Sequence, residues 1–347
     1  MPGNECDVLV VGLGPAGAAA ATVAAKAGAR VVAVERRPAS AWQMQGPEFI
    51  PFPLGSHAGA ARVVIQLIAG ARSHLTDGTL SDCGLQGSVV NRDVFDRALV
   101  DFARAAGADL RHGTALSGLD TDASAATIAG DGGVSVLRYR ALVAADGAVS
   151  AVAGLLGMAP LKTMRTKCYR VPLNAPQNTI DVWLSPQHPE GYGWLIPAGS
   201  EAIIGTGLFS DSGSDALDAL HAQLQAAGLV GGGIRAQTAG VVAVGGMRER
   251  LAWGNILLAG DAAGLAHPLT GAGIYPAVVS GEAAGQAGAE WSAGRLGAIS
   301  AYEAKIRGEF GEALERALRR REPLVSPWCA ESGLEASGWS VVRGAFD

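Results

Sequence analysis

The sequence predicts an α/β protein in which a mainly parallel sheet with crossover helices is joined to a smaller antiparallel sheet. Two apolar runs, Ala141–Ala145 and Asn255–Ala259, predict buried strands that each end near an Asp. Alternating residues interrupted by Pro and Gly over Cys168–Gly207 predict antiparallel strands. The N-terminal segment predicts a strand–helix–strand unit of about 30 residues, which requires parallel pairing; its elements are Cys6–Val11, Ala16–Ala27 (followed by Gly28) and Val31–Val34.

Length and composition limit the classes of protein. The chain has 347 residues, of which 49% are hydrophobic and 17% charged, so it is long enough for two domains and is not a disordered chain. A net charge of −5 carries no basic footprint for nucleic acid. Four widely spaced cysteines, an N-terminus without a leader pattern and no apolar run of membrane-spanning length predict a soluble cytoplasmic enzyme without a transmembrane segment.

The remaining elements follow from periodicity. Helical period predicts helices at Asn91–Ala106 and Asp215–Ala227, and short strands are expected within Asp109–Leu137. A Gly- and Ala-rich helix follows Asn255–Ala259, and the tail from Trp291 is expected to be helical and then irregular. Basic residues in that tail alternate with Glu312 and Glu315, which predicts a solvated helix face; they are Arg316, Arg319, Arg320 and Arg321.

A glycine motif at the first strand–helix junction predicts a dinucleotide site. Gly12 permits the tight turn, Gly14 lets the backbone approach a pyrophosphate, and Gly17 allows close helix–strand packing. The helix N-terminus offers N–H groups to phosphates, and Glu35 ends the second strand, where a carboxylate can accept ribose hydroxyls. In a glycine-rich chain such a motif also arises by chance, but the strand, helix and acid in register argue against that.

Two later motifs indicate which dinucleotide binds. Asp146-Gly147 and Gly260-Asp261 each follow a buried strand, and the second leads into a glycine-rich loop, Pro268–Ile274. In this combination the chain resembles the superfamily of FAD-dependent hydroxylases and geranylgeranyl reductases. The resemblance implies a Rossmann-like FAD-binding domain of the GR2 type, with a second antiparallel-sheet substrate domain. It also implies that NAD(P)H binds in a groove, or that a separate reductase supplies the electrons, since no second glycine fingerprint exists.

The resemblance assigns roles to individual residues. Glu35 would contact the ADP half, Asp146 would flank the pyrophosphate cleft, Asp261 would contact ribityl hydroxyls, and the Pro268–Ile274 loop would lie against the isoalloxazine. The predicted cofactor-binding residues are Gly12, Gly14, Pro15, Ala16, Gly17, Glu35, Arg36, Arg92, Asp146, Gly147, Gly260, Asp261, Pro268, Gly271, Gly273 and Ile274.

A fourth motif bears on the branch of the superfamily. Tyr192-Gly193-Trp194-Leu195-Ile196-Pro197, followed by Gly205, resembles the YxWxFP(x7)G signature of geranylgeranyl reductases, and it also resembles the WxWxIP signature of flavin-dependent halogenases. The Glu48 loop resembles the halogenase-like group, but no lysine lies between Lys26 and Lys162 for halogenation. The segment Gly271–Ile274 resembles the reductases, so the residues leave both branches open.

The candidate catalytic residues each have a structural alternative. Trp194 and Tyr192 are expected to line the substrate pocket beside Trp183, or else to pack within the sheet. His267 is a candidate proton donor or a histidine satisfied within its loop, and Glu48 is a candidate general acid or base or an exposed glutamate. His57 and His74 receive no role.

We therefore predict an FAD-dependent monooxygenase that uses O2, through a flavin hydroperoxide, to hydroxylate a bulky aromatic or apolar substrate. A tryptophan within a partner protein is one candidate for that substrate. The alternatives are a reductase of isoprenoid double bonds and a flavin-binding partner without turnover. The expected domains are the FAD domain at 1–45, 86–165 and 245–290, the substrate domain at 46–85 and 166–244, and a helical tail at 291–347.

Overall fold

The computed structural model describes residues 4–39, 47–51, 63–75, 78, 80–184, 191–208 and 215–325. His57, the domain boundary at 45–46 and the irregular end of the tail lie outside these ranges. Nothing in the structure tests the division into domains, which stays a prediction. Among the described helices, none combines the length and the apolarity that crossing a bilayer requires.

The largest sheet is mainly parallel and has the first strand near its centre. Its strands are β1 (Glu5–Val11), β2 (Val31–Glu35), β8 (Asp109–His112), β9 (Ala115–Asp120), β10 (Ala125–Gly130), β11 (Gly133–Ala144), β17 (Ala252–Trp253) and β18 (Ile256–Leu258). The order is β17-β18-β11-β1-β2-β8, with β9 and β10 attached to β11 as an antiparallel meander. Val8 pairs with Val31 and Ala141, so the carboxyl ends of β1, β2 and β11 meet at one edge.

The helices that pack on or beside this sheet, apart from the last, begin where the sequence motifs lie. They are α1 (Pro15–Lys26), α2 (Arg92–Ala105), α3 (Ala151–Leu155), α5 (Ile274–Ser292) and α6 (Ala298–Val325). Pro15 is in the first turn of α1, where its missing N–H costs nothing. The Asn91 side chain accepts hydrogen bonds from the N–H groups of Asp93 and Val94 and caps α2.

Close packing of α1 on α5 accounts for part of the high glycine content. A Cβ on Gly281 would lie 2.1 Å from the carbonyl oxygen of Ala16, and one on Gly285 would lie 2.3 Å from that of Ala20. Only glycine lets the two backbones approach this closely. The main core lies here, between these helices and the buried strands.

The second sheet has seven described strands and separates two smaller cores. The strands are β5 (Gly70–His74), β6 (Leu80–Cys83), β12 (Thr163–Pro172), β13 (Thr179–Trp183), β14 (Gly191–Ala198), β15 (Glu201–Leu208) and β16 (Ala236–Ala243). Their order is β16-β12-β15-β14-β13-β5-β6, antiparallel except between β13 and β5. Helix α4 (Ala216–Ala226) packs on one face through Leu217, Leu220 and Leu224. The sheet therefore extends beyond the predicted Cys168–Gly207 segment at both ends.

A third, three-stranded sheet is absent from the sequence prediction. Its strands are β3 (Pro47–Pro51), β4 (Val64–Ile68) and β7 (Gly87–Asn91), with β7 antiparallel to both neighbours. The chain segments are separated by Gly- and Pro-rich stretches, so nothing local indicated their pairing. Because β7 leads directly into α2, this sheet places Glu48 beside the N-terminus of α2.

Helix α6 departs from the predicted solvated face at one residue. Arg316 and Arg319 pair with Glu312 and Glu315 at 4.0 and 3.9 Å, and Arg319 is exposed. Arg321 is only 7% exposed, so the prediction of a uniformly solvated basic face is wrong at this position. Residues near this end of α6 pack against the core formed on the second sheet.

Candidate functional site

A cavity of about 420 Å³ lies between the large sheet and the second sheet. One side is formed by the glycine turn, the Asp146 and Asp261 segments and the Pro268–Ile274 loop. The other side is mostly apolar and comes from β12–β16 together with β3 and Leu85, which lies two residues before β7. Its members include Phe49, Leu85, Met164, Ile180, Val182, Tyr192, Trp194, Ile196, Ile203, Val241 and Val242. The two sides share one continuous space.

The glycine turn lies at the cavity edge as its spacing requires. A Cβ on Gly12 would lie 2.4 Å from the carbonyl oxygen of Ala145, and one on Gly17 would lie 1.8 Å from that of Gly12. By contrast, nothing lies within 4 Å of a Cβ on Gly14, which faces the cavity with Pro15 and Ala16. No side chain caps this end of α1, so its N–H groups face the open space.

The carboxylate of Glu35 holds this turn in place. Its Oε2 accepts a hydrogen bond from the N–H of Leu13 at 3.0 Å, and its Oε1 accepts one from the N–H of Arg37 at 3.0 Å. Burial alone would raise the pKa of Glu35, but these N–H groups and the Arg37 guanidinium outweigh burial and hold the pKa below its usual value. Oε1 accepts a second hydrogen bond, from Arg37 Nε at 3.2 Å, whereas Oε2 keeps a further lone pair for a hydroxyl. Arg36 is exposed at the end of β2 and outside the cavity lining.

The two residues of the Asp146-Gly147 motif have different structural roles. Gly147 has a φ of +84° and lines the cavity. The Asp146 carboxylate instead accepts hydrogen bonds from Ser150 Oγ at 2.6 Å and from the N–H of Val152 at 3.0 Å, and so anchors the start of α3. The Ser150 contact was not predicted, although a Ser at the N-cap position of a helix is a capping signal.

Asp261 brings a half-buried carboxylate to the cavity wall. It lies in a 3₁₀ turn, Gly260–Ala263, and its Oδ2 accepts from the N–H of Ala243 at 3.5 Å. Burial is the main cause that raises the pKa of Asp261 to about 6. A hydroxyl group in the cavity that donates a hydrogen bond to this carboxylate would lower that pKa again.

The Pro268–Ile274 loop runs along the cavity and leads into α5. Gly271 has a φ of +70°, and Gly273 is the N-cap of α5 without a side-chain cap. The phenol of Tyr192 donates a hydrogen bond to the carbonyl oxygen of Thr270 at 2.7 Å, which links the loop to β14. The free N–H groups at the start of α5 therefore face the cavity from a loop held by the second sheet.

His267 does not line the cavity and lies within the loop fold. It is 1% exposed, and its Nδ1 accepts a hydrogen bond from the N–H of Thr270 at 3.2 Å. Burial lowers the pKa of His267 to about 3, so the ring is neutral at physiological pH. This geometry favours the structural alternative over a proton donor.

Arg92 and Glu48 form a charged group on the cavity wall. The Arg92 guanidinium binds Asp96 through two hydrogen bonds of 3.1 and 3.0 Å and also contacts the Glu48 carboxylate. Burial would lower the pKa of Arg92, but the Glu48 and Asp96 carboxylates outweigh it and raise that pKa. Arg92 is thus held in place by two acids, and Glu48 is ion-paired.

Tyr192 and Trp194 lie together on the cavity side of the second sheet. Their ring centroids are 5.4 Å apart. A Cβ on Gly205 would lie 2.4 Å from the Trp194 ring and 2.9 Å from Cys168 Sγ, so the glycine of the motif makes room for the indole. Trp183 is on the opposite face, where it stacks on His74 with centroids 4.8 Å apart, so its predicted place in the pocket is wrong.

Several lining residues escaped the sequence analysis. Cys168 lines the cavity, and burial raises the pKa of its thiol to about 12. The alternating pairs Ile180/Val182 and Trp194/Ile196 share one face of the sheet, and their spacing of two residues in the sequence indicates a shared strand face. The sequence of a single strand does not show which of its two faces lines a cavity.

The residues present fit FAD. The open space before Gly14 at a helix N-terminus suits a pyrophosphate, and the half-buried Asp261 carboxylate suits a hydroxyl donor such as a ribityl chain. Glu35 retains acceptor capacity for a ribose, and the uncapped start of α5 suits a ring that gains negative charge. In combination with the fold, these features define an FAD-dependent oxidoreductase.

Comparison with known proteins places the chain in a family. The FAD binding domain family model matches residues 5–47 and 58–286. A digeranylgeranylglycerophospholipid reductase of Methanocella arvoryzae is 30% identical over 93% of this chain and 88% of its own length. A second enzyme of this name, from Methanopyrus kandleri, is 30% identical over 91% and 85%. The chain belongs to this family of FAD-binding proteins, and the resemblance stated from the sequence is confirmed.

Solved structures share the fold. A geranylgeranyl bacteriochlorophyll reductase-like protein of Thermoplasma acidophilum superposes with a TM-score of 0.82 at 24% identity, covering 93% of this chain and 88% of that one. A flavin-dependent halogenase has a TM-score of 0.74 at 19% identity, covering 98% and 68%. The predicted fold, a GR2-type FAD domain with a separate antiparallel sheet, is confirmed.

The prediction of a hydroxylating monooxygenase is wrong. The relatives that match over most of the chain at 30% identity are named reductases. The Tyr192–Pro197 motif was shared by both branches, so the motif by itself did not decide between them.

Proposed function

We propose that this protein is a prenyl-lipid reductase that saturates carbon–carbon double bonds in an isoprenoid chain. The observation that carries the proposal is the apolar half of the cavity, which is continuous with the half that fits FAD. The names of the relatives favour the same class of substrate.

The apolar side chains would bind the hydrocarbon and exclude water from it. Ile180, Val182 and Ile196 present a flat aliphatic surface, and the Trp194 ring lies beside it. These contacts stabilise an isoprenoid chain through the hydrophobic effect, and they offer no ionised group that a hydrocarbon would have to desolvate. When bound, FAD supplies the two-electron reducing chemistry.

The polar side would orient the cofactor while the sheet orients the lipid. Glu35 keeps the first turn closed, Asp261 would accept hydrogen bonds from cofactor hydroxyls, and Tyr192 holds Thr270 so that the loop keeps its place. Electrons would come from NAD(P)H or from a reduced partner protein. A cytoplasmic location remains part of the proposal, based on four widely spaced cysteines.

The test is an anaerobic reduction assay. FAD-loaded protein, reduced with dithionite, is mixed with a geranylgeranyl-bearing glycerophospholipid, and the lipid is analysed by mass spectrometry. We expect a gain of two hydrogens for each double bond reduced, at a rate that oxygen removal does not lower.

Two controls make the assay decisive. The same lipid with saturated chains should not oxidise the reduced flavin. The Ile180→Asp variant should bind FAD but lose most lipid turnover, since it places a charge among apolar side chains. Bound flavin that no unsaturated prenyl lipid reoxidises would refute the proposed reaction.

A further inference from the structure

The end of α6 packs against the segment that carries the Pro268–Ile274 loop. Ala317 belongs to the same buried cluster as Leu269 of the loop. A Cβ on Gly246 would lie 2.4 Å from Leu318 Cδ1, so α6 also presses on the chain that follows β16. Arg321 lies one turn after Ala317 on the same face of the helix.

Arg321 connects three elements through one guanidinium. It is 7% exposed, and its Nη1 contacts the carbonyl oxygen of Val244, just after β16. The same nitrogen lies 3.5 Å from the carbonyl oxygen of Pro268, at the start of the loop. Burying an arginine is costly unless its N–H groups find acceptors, and here the backbone carbonyls of Val244 and Pro268 are such acceptors.

Most other hydrogen bonds of the loop among the described residues are internal: the N–H of Gly271 donates to the carbonyl oxygen of His267 at 2.9 Å, and the N–H of His267 donates to that of Ala272 at 3.0 Å. Thr270 is tied internally to His267 and across the cavity to Tyr192. Gly271, with a φ of +70°, provides no side chain to restrain the turn. The first residue of the loop is therefore held from behind by α6, whereas its middle is held from the front by β14.

We propose that Arg321 is a positioning residue that sets the distance between the Pro268–Ile274 loop and the flavin ring. Stabilisation of a reduced, negatively charged flavin depends on N–H groups that are already aimed at it, and it falls when those groups move. Arg321 holds the loop so that the start of α5 keeps this aim. The proposal depends on the FAD site and not on the identity of the substrate.

The test compares three variants of the full-length, FAD-loaded protein. Arg321→Met keeps much of the side-chain length without the N–H groups, Arg321→Lys keeps the charge, and Arg319→Met on the exposed face of α6 is the matched control. The midpoint potential of bound FAD is measured by equilibration with a redox dye. For Arg321→Met we expect a tenfold smaller ratio of reduced to oxidised FAD at fixed potential, a shift of about −30 mV for two electrons.

The other two variants define the role of the guanidinium. Arg321→Lys should shift the potential in the same direction by a smaller but measurable amount, because an ammonium reaches only one of the two carbonyls, and Arg319→Met should match the unmodified protein. An unchanged potential in Arg321→Met with FAD retained would overturn the proposal.

A second measurement needs no cofactor. Hydrogen exchange of the Leu269–Ala272 amides in the FAD-free protein should be about tenfold faster in Arg321→Met than in Arg319→Met. If Arg321→Met does not fold, Arg321→Lys decides: exchange and potential both equal to those of the unmodified protein would mean that Arg321 stabilises the fold and does not position the loop. Neither readout uses a lipid, so failure of the prenyl-reductase proposal would leave this test intact.

Discussion

On one side of the cavity the chain presents mostly backbone, whereas on the other it presents mostly side chains. The FAD half consists of glycines, helix N-termini and carboxylates that end strands, such as Gly14, Gly147 and Asp261. The substrate half consists of alternate residues on strands of the second sheet, such as Ile180, Trp194 and Ile203. A cofactor with fixed geometry is bound by local backbone devices, while a hydrocarbon is bound by a surface assembled from distant strands.

A matched pair of glycine variants gives the largest expected effect. Gly17→Ala should lose FAD and destabilise the protein by about 3 kcal/mol, because its Cβ would lie 1.8 Å from the Gly12 carbonyl oxygen. Gly14→Ala should fold with an unchanged Tm, because nothing lies within 4 Å of its Cβ, but it should bind FAD more weakly. Visible flavin absorbance and thermal melts measure both, and an equal loss of stability in the two variants would contradict the assignment.

The Asp261 carboxylate should make the FAD half sensitive to pH. Its pKa rises from an ordinary 3.8 to about 6 in the folded protein, so the folded state holds the proton more tightly and loses stability as pH rises through this window. Relative to the unmodified FAD-free protein, Asp261→Asn should gain up to about 3 kcal/mol between pH 4 and pH 7. FAD should bind more tightly at pH 7 than at pH 5, since hydroxyl donors favour the ionised form. A pH-independent difference in urea titrations would refute this account.

A change in the substrate half should spare the cofactor. Gly205→Ala should cost about 2 kcal/mol and lower lipid turnover with FAD retained, because its Cβ would overlap the Trp194 ring at 2.4 Å. Adding Trp194→Ala removes the overlap, so the double variant should be destabilised less than the sum of the two single changes. Additive effects in chemical denaturation would show that the ring and the glycine do not compete for space.

The smallest expected effect lies at the contact between the two halves. Tyr192→Phe removes the hydrogen bond to the Thr270 carbonyl oxygen, 2.7 Å long, and should cost about 1 kcal/mol. Because the phenol holds the loop and not the lipid, kcat should fall while KM stays within about twofold. A change confined to KM in steady-state lipid assays would place the phenol on the substrate instead.

The parts predicted from the sequence are those that depend on neighbours in the chain. The Gly12–Gly17 turn, its helix and Glu35 lie within about 30 residues, and each has a local geometric reason. The Asp146 and Asp261 motifs were recognised because each follows its own buried strand. Even so, the role of Asp146 needed the structure, which shows its carboxylate bonded to Ser150.

The parts that were mistaken depend on contacts between distant segments. His267 and Arg321 looked polar and available in the sequence, but tertiary packing buries both. Trp183 looked like a third pocket aromatic, but the face of β13 that meets the cavity is the one with Ile180 and Val182. The sheet that pairs β3 with β7 brings Glu48 to Arg92 across 44 positions of sequence.

By itself, the sequence determined the fold class and the FAD site, because glycine conformations and helix termini are properties of short segments. The tertiary structure decided which strand faces line the substrate half, which charged groups are paired and which residues hold the Pro268–Ile274 loop. Those depend on sheet register and on packing between elements far apart in the chain, and a period of two residues gives the two faces of a strand without saying which one is covered.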